Sequence, residues 1–165
     1  MRYLLSFSFL LVLAIGPARL PAQNIADDTS FVVKLMAPLS TETNRKGDKI
    51  TAVILQPPAF AKSFIEGEIR ESKARGKLFQ RSSALNISFQ RIVKRNKTIE
   101  VECKIKEVLN SKNERNADEE GRMIEYKGGG KSEDAELETK GAQLSFAAGT
   151  ELTLTVRTTQ TAISH

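Results

Sequence analysis

Residues Ala84 to Lys106 read ALNISFQRIVKRNKTIEVECKIK, and this stretch decides the fold. Leu85, Ile87 and Phe89 alternate with Asn86, Ser88 and Gln90. After a short basic turn, Ile99, Val101, Cys103 and Ile105 alternate with Glu100, Glu102, Lys104 and Lys106. A period of two, with one apolar and one polar face, suits antiparallel strands packed on a core from one side. Two such runs joined by turn residues predict a hairpin. Cys103 shares the inward face, so it is expected to be a buried and inert thiol.

Moving outward, Phe64 to Ser72 (FIEGEIRES) predicts a strand with Ile65 and Ile69 inward and Glu66, Glu68 and Arg70 outward. Gly67 falls on the inward side, which predicts a bend or bulge. Lys49 to Gln56 (KITAVILQ) is apolar on both faces and is expected to be central or covered. Pro57-Pro58 ends it, because proline cannot donate to a ladder. Ser30 to Met36 is a further strand, followed by a loop from Ala37 to Asp48 that closes in a Gly47-Asp48 turn. Beyond the hairpin, Glu151 to Arg157 (ELTLTVR) directs Leu152, Leu154 and Val156 inward. Six strands with few helical candidates and no internal repeat predict an all-β chain, a small antiparallel β-barrel or a curled sandwich.

Asn110 to Gly141 breaks the pattern. It is polar, bears glycines and has few apolar residues, so a long disordered, mobile insert is expected there. The chain opens with a short basic region at Arg2, an apolar run from Leu4 to Ile15, then small residues and prolines. That layout predicts a signal peptide over residues 1–22, cleaved after Ala22 or alternatively after Ala18, an uncleaved anchor being the other reading. A single β-domain over residues 23–157 and a flexible tail over 158–165 complete the organisation. No transmembrane segment is expected after cleavage.

The chain has one cysteine, so no internal disulfide can form. Its one histidine is His165, the last residue, which excludes a Ser-His-Asp, Cys-His or His-ligated zinc site inside the domain. No cofactor and no metal are expected. Gly128-Gly129-Gly130-Lys131-Ser132 lacks the preceding glycine, the strand and the helix of a phosphate-binding loop. Asp118, Glu119 and Glu120 are consecutive, without the alternating ligands of a calcium loop, and read as solvated. Glu66 with Glu68, and Glu100 with Glu102, place paired carboxylates on strand faces, but basic neighbours favour ion pairing over acid/base chemistry.

Charge is uneven. Residues 24–109 hold 16 Lys/Arg against 10 Asp/Glu, whereas residues 110–141 hold 6 against 9. In a meander, alternate connections share an end. Arg45, Lys46 and Lys49 would then lie beside Lys73, Arg75, Lys77 and Arg81, with the acidic insert at that same end. These seven residues are the candidate contact for an anionic partner, and solvated turn residues are the bland alternative. The turn bearing Lys94, Arg95 and Lys97 would lie opposite.

The runs ETNRKGDKITAVILQPP, FIEGEIRES, LNISFQRIVKRNKTIEVECKI and FAAGTELTLTV resemble uncharacterised exported bacterial β-domain proteins. More distantly, they resemble the β-barrel domain of TrbI-like conjugation and type IV secretion proteins. Gly47-Asp48 before an apolar strand, Gly67 within a later one and Ala148-Gly149-Thr150 before the last carry the likeness. It implies an envelope-located β-domain that works by contact. A pore role does not follow, since the insert is too polar to enter a bilayer. The resulting expectation is a non-enzymatic exported module, periplasmic or on a bacterial cell surface, that binds an envelope protein or anionic surface through loops or a sheet edge. No nucleic-acid role is expected. The alternatives are a carboxylate-dependent hydrolase acting on envelope glycan and a structural subunit assembling by edge-strand pairing.

Overall fold

The computed structural model describes residues 25–74, 82–127, 135–140 and 143–159. Ten strands follow in chain order: β1 (Thr29–Leu35), β2 (Leu39–Ser40), β3 (Lys49–Gln56), β4 (Phe64–Lys73), β5 (Ser83–Lys94), β6 (Lys97–Leu109), β7 (Ile124–Lys127), β8 (Ala135–Thr139), β9 (Ser145–Phe146) and β10 (Glu151–Thr158). Six of them pair in a ring. β1 bonds to β3, β3 to β4, β4 to β5, β5 to β6, β6 to β10 and β10 back to β1, every pair antiparallel. The six strands expected from the alternation are these six, and of the two architectures the chain adopts the barrel.

The alternation explains the interior. Phe31, Val33 and Leu35 of β1, Ile50, Ala52 and Ile54 of β3, and Leu152, Leu154 and Val156 of β10 are all buried. Ile65, Ile69, Leu85, Ile87, Phe89, Val101, Cys103 and Ile105 complete the wall's inner face. An eight-stranded barrel is just wide enough for side chains to fill, and six strands enclose less space, so these buried side chains form a packed core.

Gly67 behaves as its place on the inward face predicts. A Cβ there would fall 2.2 Å from the Ser88 carbonyl oxygen, and the β4–β5 register shifts between Glu66 and Gly67. Only a residue without a side chain lets β5 approach this closely. β3 is central, as expected, bonded to β1 on one side and to β4 on the other, but no layer covers it among the described residues. On its second face Val53 is half-buried and Leu55 is 37% exposed. A closed barrel has one interior, so an apolar residue on the other side of the strand faces out.

The polar segment after β6 departs from expectation. Its described parts, residues 110–127 and 135–140, are built into the wall. β5 pairs with β6 only from Arg91 to Lys94; above that, from Ser83 to Ile87, it pairs with β8. β8 pairs with β7, Ile124 donates to the Asn116 carbonyl, and Asn116 donates to Val108 of β6. The segment therefore closes a seam that would otherwise open between β5 and β6. Ile124 and Leu137 are buried with the main core. Polar satisfaction does the rest. Buried Asn110 bonds to Glu114 and to the Asp118 carbonyl, and fully buried Asp118 receives two hydrogen bonds from the Arg122 guanidinium at 2.6 and 2.8 Å.

The barrel has two unlike ends. The β1–β3, β4–β5 and β6–β10 connections share one, the loop end, as the meander predicts. Gly47 donates to the Ile69 carbonyl, Leu35 donates to the Thr150 carbonyl, and β2 pairs with β9. The short β3–β4 and β5–β6 connections share the other, the turn end. There a 3-10 turn, Pro58–Phe60, places buried Phe60 against Phe31 with ring centroids 5.3 Å apart. Residues 1–22, Arg75, Lys77, Arg81 and residues 160–165 lie outside the described residues, while Thr158 of the expected tail belongs to β10.

Candidate functional site

At the loop end, the described candidate cations are largely engaged by their own chain. Arg45 donates to the Glu42 and Asn44 carbonyls at 2.7 and 3.0 Å. Lys49 lies 2.8 Å from Glu68, which also meets Arg70 at 2.6 Å. The Lys49 hydrogen bond outweighs desolvation and holds the Glu68 carboxyl below its usual range. Lys73 pairs with Glu71 at 2.9 Å, and that bond raises its ammonium above the ordinary lysine value. Lys46 is exposed in the turn before Gly47.

The acids serve the architecture. Glu66 pairs with Arg91 at 2.7 Å across β4 and β5, the cross-strand pairing that the sequence predicts. Asp118 and Glu119, expected to be solvated, are structural. Burial pushes the Glu119 carboxyl up, but bonds from Ser111, Ala147 and Thr150 outweigh it and hold the group below its ordinary value. This carboxylate ties the inserted segment to the approach of β10. Cys103 is 3% exposed, and burial, with Glu102 second, pushes its thiol up to about 12. Such a thiol supplies almost no thiolate at neutral pH, so it is no nucleophile. No group of three His, Cys, Asp or Glu among the described residues could hold a metal ion.

The turn end is arranged differently. A surface cleft of about 580 Å³ lies between the β3–β4 loop and the β5–β6 turn. Lys62, Lys94 and Arg95 line it, with Phe64 and Val93 as its larger apolar side chains and no carboxylate among the lining residues. Lys94 is positioned on one wall: its ammonium donates to the Ala59 carbonyl at 2.6 Å and sits 5.0 Å from the Phe60 ring centroid. Lys62 and Arg95 both occupy left-handed backbone, at φ 65° and 52°, which turns the chain sharply at each rim. Three cations on one concave surface with no carboxylate among its lining residues raise the local positive potential.

Sequence reasoning placed the basic β5–β6 turn at the opposite end but did not join it to Lys62 and Phe64. The signal was present in the meander itself, which brings Lys62-Ser63-Phe64 and Val93-Lys94-Arg95 to one end. Architecture and surface together define a small up-and-down antiparallel barrel with a solid core and a cationic cleft at one end. Comparison with family models, curated proteins and solved structures finds no match for this chain. No helix among the described residues is long and apolar enough to cross a membrane.

Proposed function

We propose that this chain is a non-enzymatic exported β-module that binds an anionic component of a bacterial cell envelope through its turn-end cleft. One observation carries the reading: a cleft of about 580 Å³ lined by Lys62, Lys94 and Arg95 and by no acid. The filled barrel interior supports contact at the surface, and so does the resemblance to TrbI-like β-domains. The loop-end cations Lys49 and Lys73 are weaker candidates because each is already paired with a carboxylate. A hydrolase reading gains little from Glu66 and Glu68, since each is ion-paired with a neighbouring cation, Glu66 with Arg91 and Glu68 with Lys49.

The test is retention on an anionic matrix under rising salt. Lys62→Asn with Arg95→Asn removes two cleft charges, and asparagine tolerates the left-handed backbone at both sites. Arg45→Gln with Lys46→Gln removes the same net charge at the loop end. The cleft variant is expected to elute at clearly lower salt than the loop-end variant. Equal elution would sink the proposal. Export is read separately, by N-terminal sequencing of the mature protein from an envelope fraction; an intact residue 1 there removes the cleaved-signal expectation.

A further inference from the structure

The cleft continues onto an apolar patch. On the outward face, Val53 of β3 lies opposite Phe64 of β4, and Phe64 lies opposite Val93 of β5. Phe64 is 40% exposed, and Leu55, two residues beyond Val53, is 37% exposed. The next outward row away from the turns is polar: Thr51 opposite Glu66, and Glu66 opposite Arg91. Beside Lys62, Lys94 and Arg95 the outer surface is thus apolar, whereas Met36 and Met123, 55% and 67% exposed, stand elsewhere on the barrel without such a row.

We infer that the turn end seats on an anionic lipid surface, with Lys62 and Arg95 at the headgroup phosphates and Phe64 and Leu55 against the first acyl carbons. The inference rests on the anionic-partner reading and names the partner. A cationic rim beside exposed aromatic and aliphatic side chains matches the two layers of a bilayer interface, charge outside and hydrocarbon beneath. An extended acidic peptide fits less well. Phe64 is paired on both sides, with Val53 and with Val93, so this region offers no free sheet edge for an added strand. A simple polyanion would engage the cations and leave Phe64 and Leu55 in water.

The experiment is co-sedimentation of the full mature chain with vesicles of about one part phosphatidylglycerol to three of phosphatidylcholine, against phosphatidylcholine alone. Wild type is expected to bind the anionic vesicles and not the neutral ones. Lys62→Asn with Arg95→Asn should weaken that binding about thirtyfold, from the typical attraction per surface cation. Leu55→Ser with Phe64→Ser should weaken it about tenfold while leaving retention on the anionic matrix unchanged. No preference for anionic vesicles, or wild-type binding by the Leu55/Phe64 variant, overturns the inference. Matrix retention that survives when vesicles are ignored leaves the anionic-partner reading standing without the lipid. Soluble polyglutamate that binds as tightly as vesicles, and is indifferent to Phe64→Ser, assigns an acidic polymer or peptide and overturns the lipid inference. Circular dichroism of each variant must match wild type, and Phe64→Leu, which keeps the apolar surface, is expected to restore vesicle binding.

Discussion

The two ends of this barrel are closed by different physics. At the turn end, a short loop folds one aromatic ring, Phe60, over Phe31 and the core below it. At the loop end, buried Leu39, Leu144 and Phe146 lie under a polar network anchored on Asp118 and Glu119. Hydrophobic closure takes few residues and needs no charge. Polar closure takes a long segment and, among the described residues, engages Asp118, Glu119 and Arg122 in internal bonds. A binding surface is therefore sought first at the turn end, where closure uses an aromatic ring and leaves Lys62 and Arg95 on the cleft.

The comparison can be broken most directly at Phe60. Phe60→Ala removes the plug and its contact with Phe31, and a loss of about 3–4 kcal/mol is expected in urea unfolding. A loss below about 1 kcal/mol would mean that the turn end is not closed by that ring. At the opposite end, Asp118→Ala leaves the Arg122 guanidinium without its buried partner. About 2–3 kcal/mol is expected, below the range for a fully buried pair because Arg122 keeps 23% exposure.

Glu119→Ala, which deletes four hydrogen bonds at one carboxylate, should cost about 2 kcal/mol near neutral pH. This effect sharpens the comparison through pH. The folded-state pKa of Glu119 lies below its ordinary value of 4.5, so its stabilisation is present above that value and fades as pH falls through the lower folded one. Melting temperatures of wild type and variant should therefore converge in acid, whereas the Phe60→Ala gap should persist. Smallest of all, Arg45→Gln with Lys46→Gln should shift stability by no more than about 0.5 kcal/mol, as exposed surface changes do. A larger shift would mean that these two side chains belong to the loop-end network.

Much of this architecture is legible in residue alternation. The six barrel strands, the inward thiol of Cys103 and the irregularity at Gly67 all follow from a period of two and one missing side chain. The inserted segment did not, because its order comes from specific partners that composition does not reveal. Asn110, Asp118 and Arg122 look solvated until their partners are in place, and only Ile124 and Leu137 hint at burial. The outward face of β3 reads two ways for a related reason: Val53 and Leu55 imply a covering layer only if apolar residues must be buried. The turn-end cleft joins residues of two separate connections, so it required topology as well as sequence.

The seam between β5 and β6 has a consequence for how the chain comes together. The β3–β4–β5–β6 hairpins join neighbours in sequence and can form early, but Ser83 to Ile87 must wait for β8, far along the chain. Pairing of such distant segments slows folding, since loop closure comes before any reward from the contact. Until β8 arrives, this part of β5 shows an unpaired edge on which a second copy of the chain could add a strand. In the finished protein β8 occupies that edge, so the exposure ends only when the polar segment has been made and has docked.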